Sequence, residues 1–196
     1  MFTQPLDFRE ETEALYQLLL PCHESVFARP TQFKRWTVED VLVHLHMWNQ
    51  AADWSLHHAQ RFSLFMDDVR ASKCRGEHHQ RVAYRWLGEV RGKQLLDLWR
   101  DHAVEMAARF SAADPVRRID WAGPDMSVKM SIIARQMETW SHGQAIFDLL
   151  GKEREEAERI RNIVLLGVMT FGWTFKNRGL DRPSIKPYVY LSGPGG

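Results

Sequence analysis

The chain has 196 residues, 44% of them hydrophobic and 26% charged, with a formal net charge of +1. That is enough apolar sequence for one domain with a real core, and the charge balance excludes a strongly basic nucleic-acid binder. No apolar run approaches the roughly 18 residues of a membrane helix, the start MFTQPLDFREE lacks the pattern of a signal peptide, and two cysteines without CxxC spacing fit a reduced, cytoplasmic protein.

In chain order, the first helical periodicity covers about residues 6–28. Leu15, Leu18, Leu19, Cys22 and Val26 share one side, and Pro21 should kink or split the helix. Thr37 is a good N-cap for a second helix, since Glu39 and Asp40 follow where the helix dipole favours negative charge. This helix is expected to run to about Phe62, with Val41, Leu45, Trp48 and Ala52 on its apolar stripe. Residues 66–80 are polar and read as loop or short helix. A third helix covers about residues 81–111, interrupted near Gly88 or Gly92, with Leu95, Leu98, Trp99, His102 and Met106 facing the core. Turn chemistry at Gly123-Pro124-Asp125 precedes a fourth helix from near Ser127 to a C-cap at Gly151. A fifth spans about residues 154–177 and is apolar enough to require burial, either in the core or at a homodimer interface. Tyr188 to Leu191 alternate like a strand. The expected architecture is all-α: an up-down four-helix bundle with an extra C-terminal helix and a short strand-like tail. Residues 1–180 would form the bundle, and 181–196 an extension that reads as the start of a truncated second domain.

Chemistry concentrates in the stretch RQMETWSHGQ, residues 135–144. Glu138 and His142 stand four residues apart and therefore share a helix face. Such a pair is either a solvated ion pair or two ligands of a divalent metal, in the manner of the two histidines of an HExxH helix. A catalytic site needs a third protein ligand and an open position. Among His44, His46, His57 and His58 of the second helix, His44 is the best candidate because it borders the buried stripe. His46 is turned about 200° away from it. His57, His58, His78 and His79 read as exposed, Cys22 and Cys74 as plain thiols, and Trp48 and Trp140 as core residues or site walls. Trp48 and Asn49, one turn beyond His44, are candidates for the mouth of the site. Arg135 holds an anionic substrate group or pairs with a surface acid, and the second reading is the simpler.

WTVEDVLVHLHMW, residues 36–48, resembles the signature that opens the second helix of the DinB-like metal-binding bundles. RQMETWSHGQAIFDLLG, residues 135–151, resembles the Glu-x-x-x-His helix of the branch that contains the N-terminal domain of mycothiol-dependent maleylpyruvate isomerase. ERIRNIVLLGVMTFGWTFKNRGL, residues 158–180, is similar to the stretch that follows in an uncharacterised bacterial metal-binding group of that branch. The resemblance covers most of residues 30–180. It implies His44, Glu138 and His142 as ligands of one divalent ion, zinc foremost, with nickel, iron or manganese also suited to two imidazoles and a carboxylate. Ala145 stands where the isomerases tend to carry an acid. The implied activity is a metal- and thiol-dependent transferase or isomerase acting on a small electrophile, with a low-molecular-weight thiol as cofactor. The alternatives are a metal-assisted hydrolase and a non-enzymatic metal-binding or stress-response module. A small α/β domain follows the bundle in the larger relatives.

Overall fold

The computed structural model describes residues 2–185 and 187–194, the side chain of His79 excepted. Its helices are α1 (Gln4–Leu19), α2 (Val38–His57), α3 (Ala59–Cys74), α4 (His79–Leu87), α5 (Gly92–Ser111), α6 (Val128–Leu150), α7 (Arg161–Met169) and α8 (Phe171–Asn177). The sole sheet among the described residues is a two-residue antiparallel pair, β1 (Arg118–Ile119) with β2 (Met126–Ser127). The all-α expectation therefore holds. Helices α1, α2, α5 and α6 form a ring, with both α1 and α2 touching α5 and α6.

Local chemistry explains most boundaries. The Thr37 hydroxyl accepts from the Asp40 backbone N–H at 3.0 Å, and the Asp40 carboxylate accepts from the Thr37 N–H at 2.9 Å, so α2 begins with a full capping box. Ser127 caps α6 with its hydroxyl, which accepts from the Met130 N–H at 3.2 Å. Gly151 ends α6 in the left-handed region at φ 62°, where glycine has no Cβ to clash.

Several expectations need correction. The first helix stops at Leu19, before Pro21, and residues 24–26 form only a 3-10 turn. A proline ring clashes with the preceding helical turn, so of the two expected outcomes the chain splits, and the helical part is shorter than expected. The second helix ends at His57, and His58 breaks the axis with φ −141°, ψ 60° before α3 begins. Residues 66–74 are helical in α3, because Phe62, Phe65 and Met66 anchor that helix to the core. Leu98 is exposed, and Leu96 takes the buried place on α5. The fifth helix divides at Thr170 into α7 and α8 and is largely uncovered, with Val168, Met169 and Trp173 exposed. Tyr188 to Leu191 form no strand and join no sheet among the described residues, and an unpaired strand is not stable.

Two hydrophobic clusters fill the ring. The larger joins Leu15, Leu19, Trp36, Leu42, Leu45, Phe65, Leu95 and Trp99. The smaller joins Phe8, Ala52, Met106, Phe110, Val128 and Ile132 at the opposite end. Beyond α6 the chain is tied back by polar contacts. Arg159 donates to the buried Glu11 of α1 at 2.8 Å, and Asn162 donates to both Asp7 and Gln136 at 2.8 Å. These contacts fix the start of α7, its middle is half-buried, and residues 167–169 are exposed.

Candidate metal centre

The facing sides of α2 and α6 bring His44, Glu138 and His142 together. One carboxylate oxygen of Glu138 lies 3.2 Å from His44 Nε2 and 3.1 Å from His142 Nε2. The three possible donor atoms all lie within 4.8 Å of one another. The two imidazole rings meet edge to face with centroids 4.7 Å apart. Side-chain exposures of 13%, 27% and 14% for His44, Glu138 and His142 leave the group largely buried but still reached by solvent. An exposed i,i+4 pair on a helix surface would not converge on a third residue 94 positions away in sequence.

Aromatic rings enclose the group. Trp36 stacks on His142 at 5.7 Å with an interplanar angle of 15°, and its centroid is 5.3 Å from His44. Phe33 meets His142 edge-on at 4.9 Å. Both rings come from the loop before α2, where Thr31 holds the Trp36 carbonyl through its N–H at 2.7 Å and its hydroxyl at 2.8 Å. Between them, Lys34 and Arg35 both take positive φ, 51° and 62°. Two adjacent non-glycine residues in the left-handed region cost on the order of 1–3 kcal/mol each, a strain that persists where surrounding contacts over-determine it. Here it turns Phe33 and Trp36 onto the imidazoles. On the other side, Trp48 lies 6.3 Å from His44 and 5.6 Å from Trp121.

The electrostatics follow from burial and pairing. Burial alone would raise the Glu138 pKa. Hydrogen bonds with His142 and His44, and the charge of Arg135, outweigh it and hold the carboxyl far below its ordinary range. Burial pushes His44 below its ordinary value, which Glu138 offsets only in part. His44 is thus held toward the neutral form that donates a lone pair.

Arg135 is not a surface residue. It is 3% exposed, its guanidinium stacks over Trp121 at 5.4 Å, and Nη2 stands 3.6 Å from the Glu138 oxygen that the histidines do not contact. The acid it faces is therefore Glu138 of the group itself. Asn49 is fully buried and does not line a mouth. Trp48 is half-buried and does border the triad. His46 turns away as expected and packs against His102 of α5 at 5.6 Å. His57, His58 and His78 are exposed, while the His79 side chain lies outside the described residues. Trp140 faces Glu156 and Arg154 instead of the triad. Cys22 and Cys74 are free thiols. Sequence reading missed Phe33, Trp36 and Trp121 as walls. The tryptophan directly before the Thr37 cap was the available signal, since a side chain there packs back onto the first turns.

Two imidazoles and a carboxylate suit a divalent ion, and among the described residues no fourth histidine, cysteine or acid joins the group. Such a set leaves coordination positions for small ligands. The family model of the mycothiol maleylpyruvate isomerase N-terminal domain matches residues 8–147, which include all three residues. The chain belongs to this family. Two uncharacterized proteins of Mycobacterium tuberculosis, from strains CDC 1551 and H37Rv, are each 30% identical over 190 residues, covering 97% of this chain and 73% of their own length. No solved structure matches the chain significantly. No helix among the described residues is long and apolar enough to cross a membrane.

Proposed function

We propose that the chain binds one divalent metal ion through His44, Glu138 and His142 and uses it to activate a low-molecular-weight thiol for addition to a small electrophile, in a transfer or isomerisation reaction. The observation that carries this reading is the convergence of three donor atoms from two helices within 4.8 Å, with no fourth histidine, cysteine or acid in the group among the described residues. His44 and His142 offer nitrogen lone pairs, and Glu138 offers one negative charge. Zinc is the first expectation for this donor set, with nickel and other divalent ions also accommodated. A divalent ion in such a site lowers the pKa of a bound thiol and so supplies a nucleophile near neutral pH. Phe33, Trp36 and Trp48 shield the site from water and strengthen every charge interaction inside it.

The family match supports a thiol partner, because the family is described by a mycothiol-linked isomerase. Metal-assisted hydrolysis is disfavoured because the rings against the triad, Phe33, Trp36 and Trp48, supply no general base. A purely structural metal is disfavoured because such sites are closed by four protein ligands.

The test is a titration of cobalt-substituted protein with 2-mercaptoethanol. A sulfur-to-cobalt charge-transfer band in the near ultraviolet is expected. Metal-loaded protein that shows no such band at saturating thiol rules out thiol activation and returns the hydrolytic reading.

A further inference from the structure

We infer that Arg135 forms an anion subsite beside the metal centre, taking a carboxylate carried by the same small molecule whose other end reaches the ion. This rests on the proposed metal centre and adds to it the charge class of the ligand.

The guanidinium is buried, yet its nearest anion is Glu138 at 3.6 Å, beyond hydrogen-bond distance. Nε and Nη1 have no hydrogen-bond partner among the described residues. A buried guanidinium with unmet donors is costly, and native proteins retain one where something else satisfies it. Burial lowers the Arg135 pKa and the Glu138 charge opposes that shift, but arginine stays protonated at any ordinary pH. The ring of Trp121 at 5.4 Å supports the plane of the guanidinium and supplies no counter-charge.

Charge counting makes the case stronger. Glu138 is the one acid of the group, and it is shared: one oxygen faces both imidazoles and the other faces Arg135. A divalent ion, Arg135 and Glu138 together sum to a net charge of about +2 in a partly desolvated cleft, taking neutral imidazoles. One thiolate lowers that to about +1. A carboxylate completes neutrality and meets the unsatisfied N–H groups of Arg135, whose planar fork suits carboxylate geometry. Exposed Lys34, whose ammonium lies 5.1 Å from the Phe33 ring centroid, adds positive potential at the rim and favours entry of anions.

The experiment measures binding of mercaptoacetate, 2-mercaptoethanol and acetate to zinc-loaded wild type, Arg135→Gln and Arg135→Lys by calorimetry, with zinc content checked in each. Wild type should bind mercaptoacetate at least about tenfold more tightly than 2-mercaptoethanol. Arg135→Gln should keep its zinc and its affinity for 2-mercaptoethanol but lose that preference. Arg135→Lys keeps the charge, should retain part of the preference, and guards against a glutamine variant that does not fold. A wild type without preference, or a preference unchanged in Arg135→Gln, overturns the subsite and leaves the metal centre standing. If neither thiol adds to the affinity while acetate still binds in an Arg135-dependent way, the thiol reading fails and the subsite survives. Wild type that takes up no zinc overturns both.

Discussion

His44 and His46 sit two residues apart on the same helix, and both are largely withdrawn from solvent. Their surroundings differ. His44 meets a carboxylate, a second imidazole and the faces of Trp36 and Trp48. His46 meets His102 and the amide of Gln50, with no carboxylate in contact among the described residues. The His46 pKa is pushed down to about 3 by burial and, secondarily, by His102. The difference teaches that a buried imidazole becomes a candidate ligand through what the opposite helix offers. On α6 that is an acid and a histidine one turn apart, and on α5 it is another histidine alone.

The sharpest way to break this contrast is to remove the shared acid. Glu138→Gln keeps the shape and deletes the negative donor. Metal affinity should fall by more than the roughly 100-fold typical of losing a supporting outer contact, as read by competition with a chromogenic chelator. His46→Leu should leave that affinity unchanged, and equal losses in both variants would erase the distinction.

The second test uses acid. His46 is neutral in the folded state down to about pH 3, whereas in the unfolded chain it takes up a proton below its ordinary pKa of about 6.5. Between those values the unfolded state binds more protons, so stability falls as pH drops through the window. At pH 4.5 the contribution is on the order of 2–3 kcal/mol. Denaturant melts of His46→Leu from pH 7 to pH 4.5 should show a shallower loss than wild type by about that amount. Parallel curves would show that His46 is not protected from protonation in the fold.

The smallest effect concerns the loop that covers His44 and has no counterpart over His46. Lys34→Gly relieves a left-handed residue at φ 51° and should stabilise the protein by about 1 kcal/mol or less. Metal affinity should hold if Trp36 alone fixes the imidazoles, and a fall in affinity would assign part of their positioning to Lys34.

Much of this was legible in the sequence because its signals are local. The Thr37 cap, the Gly151 stop and the shared face of Glu138 and His142 follow from helix geometry, and all three are found. The opposed directions of His44 and His46 were legible for the same reason. What escaped depends on tertiary contact. Arg135 was left between holding an anionic group and pairing with a surface acid, because charge patterning cannot show that Trp121, 14 residues earlier in the chain, stacks on it. Asn49 read as a mouth residue because its helical position was right while its depth was set by the packing of other helices. The fifth helix was expected to be buried on composition, in the core or at a homodimer interface, and the single chain supplies only part of that cover. The polar ties of Arg159 and Asn162 hold only its start, and Val168, Met169 and Trp173 remain exposed. The break at His58 is carried by a backbone conformation that no turn residue announces.

The most direct measurement is metal content and affinity of protein prepared without an affinity tag, in wild type, His142→Ala and His46→Leu. Wild type and His46→Leu should each hold about one equivalent of a divalent ion, and His142→Ala should lose it. Wild type that holds no metal after reconstitution, or a His142→Ala variant that binds as wild type does, would contradict the proposed metal centre.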